Sequence, residues 1–257
     1  MASKGVALIT GAARGIGATI ALRLASEGYN LALADLPGQA STLSNVAKQI
    51  QEMGRKVVAS RCDVSREEDG KKMVQNCVQG LGGLDIMVAN AGISKFGTTL
   101  TTTVEDWDAL FSVNARGVFL CYKHAAEQMV KQGRGGRIVG ACSSAGKRGA
   151  PMLAAYSSTK FAVRGMTQVA AQELASHNIT VNCYSPAFVD TDLLSQPEDE
   201  KVGGERGAYI RSVYPFQKDQ PFINPDVVAE LVSYIVKPSS HMLTGECISL
   251  NGTLSFD

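Results

Sequence analysis

No segment of this chain gathers charge of one sign: 25 Lys and Arg stand against 24 Asp and Glu, for a net charge of +1. A surface without a basic field has little attraction for phosphate backbones or anionic lipid, which argues against nucleic acid and membrane surfaces as partners. Long apolar runs are missing as well. No stretch reaches the roughly 20 residues that span a bilayer, and Met1-Ala2-Ser3-Lys4-Gly5 passes straight into a strand-like run without an apolar signal region. A cytoplasmic location is the expectation. The histidines His124, His177 and His241 lack ligand spacing, and six cysteines, Cys62, Cys77, Cys121, Cys142, Cys183 and Cys247, are scattered with no CxxC pair. That pattern predicts buried free thiols in a reducing compartment and no metal site.

What is present is a rhythm. Short apolar runs alternate with amphipathic stretches: Val6–Ile9, a helix from Ile16 to Glu27, Leu31–Ala34, a helix from Leu43 to Met53, Val57–Ala59, a helix from Glu67 to Val78, and Ile86–Ala89. The second half continues with a long helix over about Val104 to Val130, Arg137–Gly140, a helix to about Ala175, and Ile179–Asn182. Strands apolar at every position need helices on both faces, so the pattern predicts an α/β fold, a doubly wound parallel sheet of about seven strands. Linkers are short and no Pro/Gly-rich hinge divides the chain, which makes one domain of residues 1–257 the economical reading. The exception is a polar stretch from about 190 to 223, carrying Pro197, Glu198-Asp199-Glu200-Lys201, Gly203-Gly204 and Pro215. Following a strand's C-terminal end, it is placed to act as a lid over a ligand. Asn224-Pro225-Asp226 then supplies an N-cap, a first-turn proline and an early carboxylate for a helix to about Val236, before a last strand at Cys247–Leu250.

Chemistry concentrates at two places. Directly after the first strand, Thr10-Gly11-Ala12-Ala13-Arg14-Gly15-Ile16-Gly17 leads into a helix. Glycines there let backbone approach a pyrophosphate, which the helix N-terminus attracts. Asp35 ends the second strand, where a carboxylate reaches ribose hydroxyls and repels a 2′-phosphate, so NAD is favoured over NADP. Arg14 leaves the alternative open, since a guanidinium in this loop could meet a 2′-phosphate. Farther on, Tyr156 and Lys160 stand four apart at the start of a helix and leave one face. An ammonium beside a phenol stabilises the phenolate and lowers its pKa from roughly 10, which would suit a general acid-base.

These residues resemble the short-chain dehydrogenases/reductases, and the resemblance covers essentially the whole chain. It rests on Thr10 to Gly17, Cys62-Asp63-Val64, Asn90-Ala91-Gly92, Asn114, Ser143, Tyr156 with Lys160, and Asn182 to Pro186 with Val189 and Thr191. The resemblance implies that Asp63 and Val64 border an adenine, that Asn90 packs beside the cofactor, and that Pro186, Val189 and Thr191 lie at the nicotinamide. It implies that Tyr156 exchanges a proton with the substrate oxygen, that Ser143 rather than Ser144 holds that oxygen, and that Asn114 anchors a proton-relay water to Lys160. The segments around Ser143 and Tyr156 are similar to diacetyl/acetoin reductases (2,3-butanediol dehydrogenases). A small neutral carbonyl is therefore expected, met by Ser94, Ser144, Met152, Phe188 and Leu193, and the family's habit implies a homotetramer. A different carbonyl such as a sugar, polyol or cyclic ketone, a transiently redox isomerase or dehydratase, and a non-catalytic cofactor-binding regulator remain alternatives. Three positions depart from the family pattern: Ala89, Ala187, and Asn251-Gly252-Thr253.

Overall fold

In a computed structural model that describes residues 3–214 and 221–252, the alternation becomes a seven-stranded sheet in the order β3-β2-β1-β4-β5-β6-β7. Pro215 and Thr253 lie outside the described residues. The strands are β1 (Val6–Thr10), β2 (Asn30–Asp35), β3 (Val57–Arg61), β4 (Ile86–Ala89), β5 (Gly136–Ala141), β6 (Ile179–Pro186) and β7 (Cys247–Leu250). All neighbouring pairs run parallel. Such a sheet must be covered on both sides, and β1, β4 and β6 are buried at every residue. One core joins Ile9, Leu31 and Val139 to Ile20, Leu24, Ile50 and Val232, which belong to α1 (Gly15–Ser26), α2 (Ala40–Glu52) and α8 (Pro225–Ile235). The opposite core joins Leu8, Met87 and Val181 to Met73, Cys121 and Val163 of α3 (Glu67–Leu81), α5 (Val118–Gln132) and α6 (Ala154–Leu174).

Local signals set the helix ends. Asn224 accepts the N–H of Asp226 at 2.9 Å, with Pro225 in the first turn of α8. Gly82, at φ +88°, closes α3 after a first turn carrying Glu67, Glu68 and Asp69.

Two elements differ from the sequence reading. The long helix is α4 (Val104–Leu110) joined to α5 through a π-helical segment, Phe111–Gly117, which holds Asn114. Periodicity sees continuous helix, while the Asn114 amide, bonded outside it, favours the wider turn. Strand β6 runs on to Pro186, because polar Asn182 is satisfied in place, donating to Leu243 O at 2.7 Å and accepting from Glu246 N at 3.1 Å. Among the described residues no helix is long and apolar enough to cross a membrane.

Candidate active site

The carboxyl ends of the strands open onto one cleft of about 1050 Å³, at the point where the strand order reverses between β1 and β4. Of the residues singled out in the sequence, it is lined by Gly11, Arg14, Gly15, Ile16, Asp35, Asp63, Val64, Asn90, Ser94, Ser143, Ser144, Tyr156, Lys160, Pro186, Phe188, Val189, Thr191 and Leu193. Gly17, Asn114 and Met152 are not on its wall. Gly17 works from beneath: a Cβ there would stand 2.1 Å from Gly11 O, so only glycine lets α1 approach the loop. Met152, at φ +63°, spends its carbonyl on the N–H of Gly97 at 2.7 Å, and Pro151 and Leu153 on either side face the cleft instead. That corrects its assignment to the pocket.

The loop between β1 and α1 fits a dinucleotide phosphate. Gly11 and Gly15 sit at φ +63° and +53°, which side chains rarely adopt. The N-cap of α1, Arg14, makes no side-chain cap and the first turn holds no acid, which leaves free N–H groups and the positive end of the helix dipole for an anion. Asn90 braces the loop by donating to Thr10 O at 2.9 Å and Gly11 O at 3.1 Å while accepting from the Tyr184 hydroxyl at 2.8 Å. Asp35 closes it, its carboxylate accepting Ala13 N at 2.9 Å and Leu36 N at 2.8 Å. Arg14 points elsewhere, to Asp192 of the insert at 3.0 Å.

A second group of polar side chains assembles from β5, α6 and the π segment. Ser143, just past β5, caps a short turn by accepting Ala145 N at 3.2 Å and lines the cleft together with Tyr156. Lys160, 3% exposed, donates to Ala141 O at 2.8 Å, and its nitrogen lies 5.4 Å from the centre of the Tyr156 ring. Burial dominates both groups. It pushes Tyr156 up to about 12, against the opposing effect of the nearby Ser143 hydroxyl, and Lys160 down to about 8. The lowered phenol expected from spacing alone is therefore corrected: desolvation of the phenolate raises its pKa, and the Lys160 ammonium, 5.4 Å from the ring centre, donates to Ala141 O instead. Asn114 holds the exit of β4, accepting Ile93 N and donating to Ile93 O, both at 2.9 Å, and reaching Thr159 at 3.3 Å. A Cβ at Gly92 would lie 3.2 Å from the Asn114 oxygen and 3.7 Å from the Lys160 nitrogen, so both groups border one spot.

The insert covers the far end. Its polar sequence conceals an apolar underside in which Leu194, Ile210 and Tyr214 are buried against Phe96, Ala150, Phe188, Val213 and Phe222. Asp199, also buried, organises it by accepting N–H groups of Gln196, Tyr209 and Gly207. Sequence reasoning missed Phe96, Ile210 and Tyr214 as lining residues; their one signal was apolar character inside a polar stretch. It also took the cysteines as scattered, whereas Cys142, Cys183 and Cys247 converge to within 4.8 Å.

The family model for short chain dehydrogenases matches residues 5–201. The chain belongs to the short-chain dehydrogenase/reductase family. It is 44% identical to a short-chain dehydrogenase/reductase of Armillaria gallica over 98% of this chain and 96% of that protein. It is 36% identical to a diacetyl reductase, (S)-acetoin forming, of Staphylococcus epidermidis over 97% and 98% of the two chains. The structure of carveol dehydrogenase from Mycobacterium avium in complex with NAD superimposes with a TM-score of 0.90 at 26% identity, covering 97% of this chain and 96% of that one. This short-chain dehydrogenase/reductase is accordingly an oxidoreductase that binds a nicotinamide cofactor.

Proposed function

We propose that this enzyme interconverts a neutral ketone and its secondary alcohol, acting on the CH–OH group with NAD(H). The observation that carries the reading is the grouping of Ser143 and Tyr156 with buried Lys160, whose nitrogen lies 5.4 Å from the Tyr156 ring centre, on the wall of the cleft that begins at the glycine loop. When bound, the nicotinamide supplies or accepts the hydride. The chain's own residues do the rest. Ser143 and Tyr156 hold the substrate oxygen, and Tyr156, a protonated phenol at neutral pH, gives that oxygen its proton in the reducing direction. Lys160 and Asn114 flank the tyrosine and serve to resupply the proton. Gly11, Gly15, Ile16 and the N-terminus of α1 receive phosphate, Asp63, Val64 and Asn90 border the adenosine side, and Pro186, Val189 and Thr191 hold the nicotinamide end.

Asp35 supports NAD over NADP, because it places a carboxylate on the cleft wall while the nearest loop cation, Arg14, is paired with Asp192. Comparing turnover with NADH and NADPH decides this; faster turnover with NADPH would refute it. For the substrate, the relatives support diacetyl and acetoin, which Ser94, Ser144, Phe188 and Leu193 would meet. A second reading, a carbonyl with a bulkier apolar body such as carvone, is favoured by the buried wall of Leu194, Ile210 and Tyr214. Contact with that wall is worth about 25 cal/mol per Å² of apolar surface, which a four-carbon diketone cannot reach fully. Ranking kcat/KM for diacetyl against ring ketones separates the two. Tyr156→Phe is expected to bind NADH normally yet lose roughly 10²–10⁴-fold in carbonyl reduction. Unchanged turnover would remove the acid-base role, and conversion of substrate without net NADH change would replace a dehydrogenase by an isomerase or dehydratase. The homotetramer implied by family resemblance is read by sedimentation of the purified protein.

A further inference from the structure

Three strands bring three thiols to one point. Cys142 follows β5 directly, Cys183 lies on β6, and Cys247 opens β7 as the register partner of Cys183. Their sulfurs all lie within 4.8 Å of one another. No other group of His, Cys, Asp or Glu among the described residues converges in this way. The backbone is held in the sheet, with Cys142 N donating to Tyr184 O at 2.9 Å and Cys183 N to Glu246 O at 2.8 Å, so the thiols are preorganised before any ligand arrives.

We propose that Cys142, Cys183 and Cys247 form a binding site for one soft monovalent cation, copper(I), held by three thiolates. A three-coordinate ion with metal–sulfur distances of about 2.3 Å sets its sulfurs about 4 Å apart, within reach of the observed spread. Soft thiolates select copper(I) and zinc. Zinc in a closed protein site takes four ligands, and the group supplies three. Binding releases three thiol protons to solvent without changing the oxidation state of copper or sulfur. The resulting complex carries two negative charges, and two ammonium groups stand ready: Lys160 acts electrostatically on Cys142, and Lys147 on Cys247. Entry is available at both ends, since Cys142 lines the cleft and Cys247 is only partly buried on the edge strand. Occupancy also touches catalysis. The Cys142 thiol now donates to Lys160 O at 3.4 Å, a bond that metal binding removes, and Cys142 is bonded directly to Ser143.

The test is an anaerobic titration of the full-length protein with copper(I), in competition with the chromogenic chelator bicinchoninate. One copper per chain is expected, with an ultraviolet thiolate-to-copper charge-transfer band and an X-ray absorption spectrum showing three sulfur neighbours. Cys183→Ala and, should that variant fail to fold, Cys247→Ala at the partly exposed edge are expected to weaken binding more than the roughly 10–100-fold that loss of an outer-shell partner costs. Cys77→Ala, in the same core but outside the cluster, is expected to bind as the native chain does. Absence of the band, two sulfur neighbours in place of three, or copper binding that survives both cluster variants would overturn the proposal. Carbonyl reduction is expected to fall in step with copper occupancy and to return when chelator withdraws the metal.

Discussion

Lys160 pays for its position. Its pKa, held down to about 8 by burial, means that the folded protein carries a desolvated ammonium at neutral pH. From the ordinary value of 10.5, that shift is worth about 3 kcal/mol against folding below pH 8, where the group is charged in both states. The cost fades as pH rises from about 8 towards 10.5, because the folded state loses its proton first. Lys160→Met is therefore expected to abolish carbonyl reduction while raising the thermal midpoint at pH 7, with a smaller gain at pH 10. A midpoint that drops equally at both pH values would mean that the Ala141 hydrogen bond outweighs the desolvation. Residue identities were legible in the sequence here: Tyr156, Lys160 and Ser143 all meet as expected. Their proton affinities were not, because a pKa depends on every atom that displaces water around the group. Met152 failed for a related reason. A positive φ cannot be foreseen for a methionine, and here it is Pro151 and Leu153, not Met152, that line the cleft.

At the scale of elements, the contact between the glycine loop and α1 is the tightest part of the cofactor cradle. A Cβ on Gly17 would meet Gly11 O at 2.1 Å and Gly11 C at 2.8 Å, and both are backbone atoms that cannot rotate aside. Gly17→Ala is expected to cost about 1–3 kcal/mol of stability, as overpacking does, and to raise the NADH dissociation constant at least tenfold. Chemical denaturation and fluorescence titration read the two effects; a variant that binds NADH normally would show that the loop can move away from the helix. Hydrophobic period revealed nearly every element, but not the π segment at Phe111–Gly117. Asn114 there bonds to Ile93, a residue far away in the chain, and helical periodicity carries no trace of such a partner. The insert was recognised by its break in pattern, and its apolar underside became visible only when Leu194, Ile210 and Tyr214 were seen to share one interior.

For the whole molecule, the cleft couples cofactor to stability because its walls come from β1, β2, β4, β5 and β6 and from the insert. NADH at a hundred times its dissociation constant is expected to stabilise the fold by about 2.7 kcal/mol. That corresponds to a rise of about 5–10 °C in the thermal midpoint for a chain of this size. NADPH at the same concentration is expected to give a smaller rise, and Tyr156→Phe to keep the NADH effect. An equal shift from both cofactors would show that Asp35 does not discriminate.

The sequence by itself determined the layered parallel sheet, the anion-receiving loop and the Tyr156–Lys160 pair, because each is written in spacings of a few residues that local geometry enforces. Only the tertiary structure decided that burial raises the pKa of Tyr156, that Arg14 turns to Asp192, and that Cys142, Cys183 and Cys247 share a point. Those outcomes depend on strand register and on water excluded by segments remote along the chain, which no local pattern records.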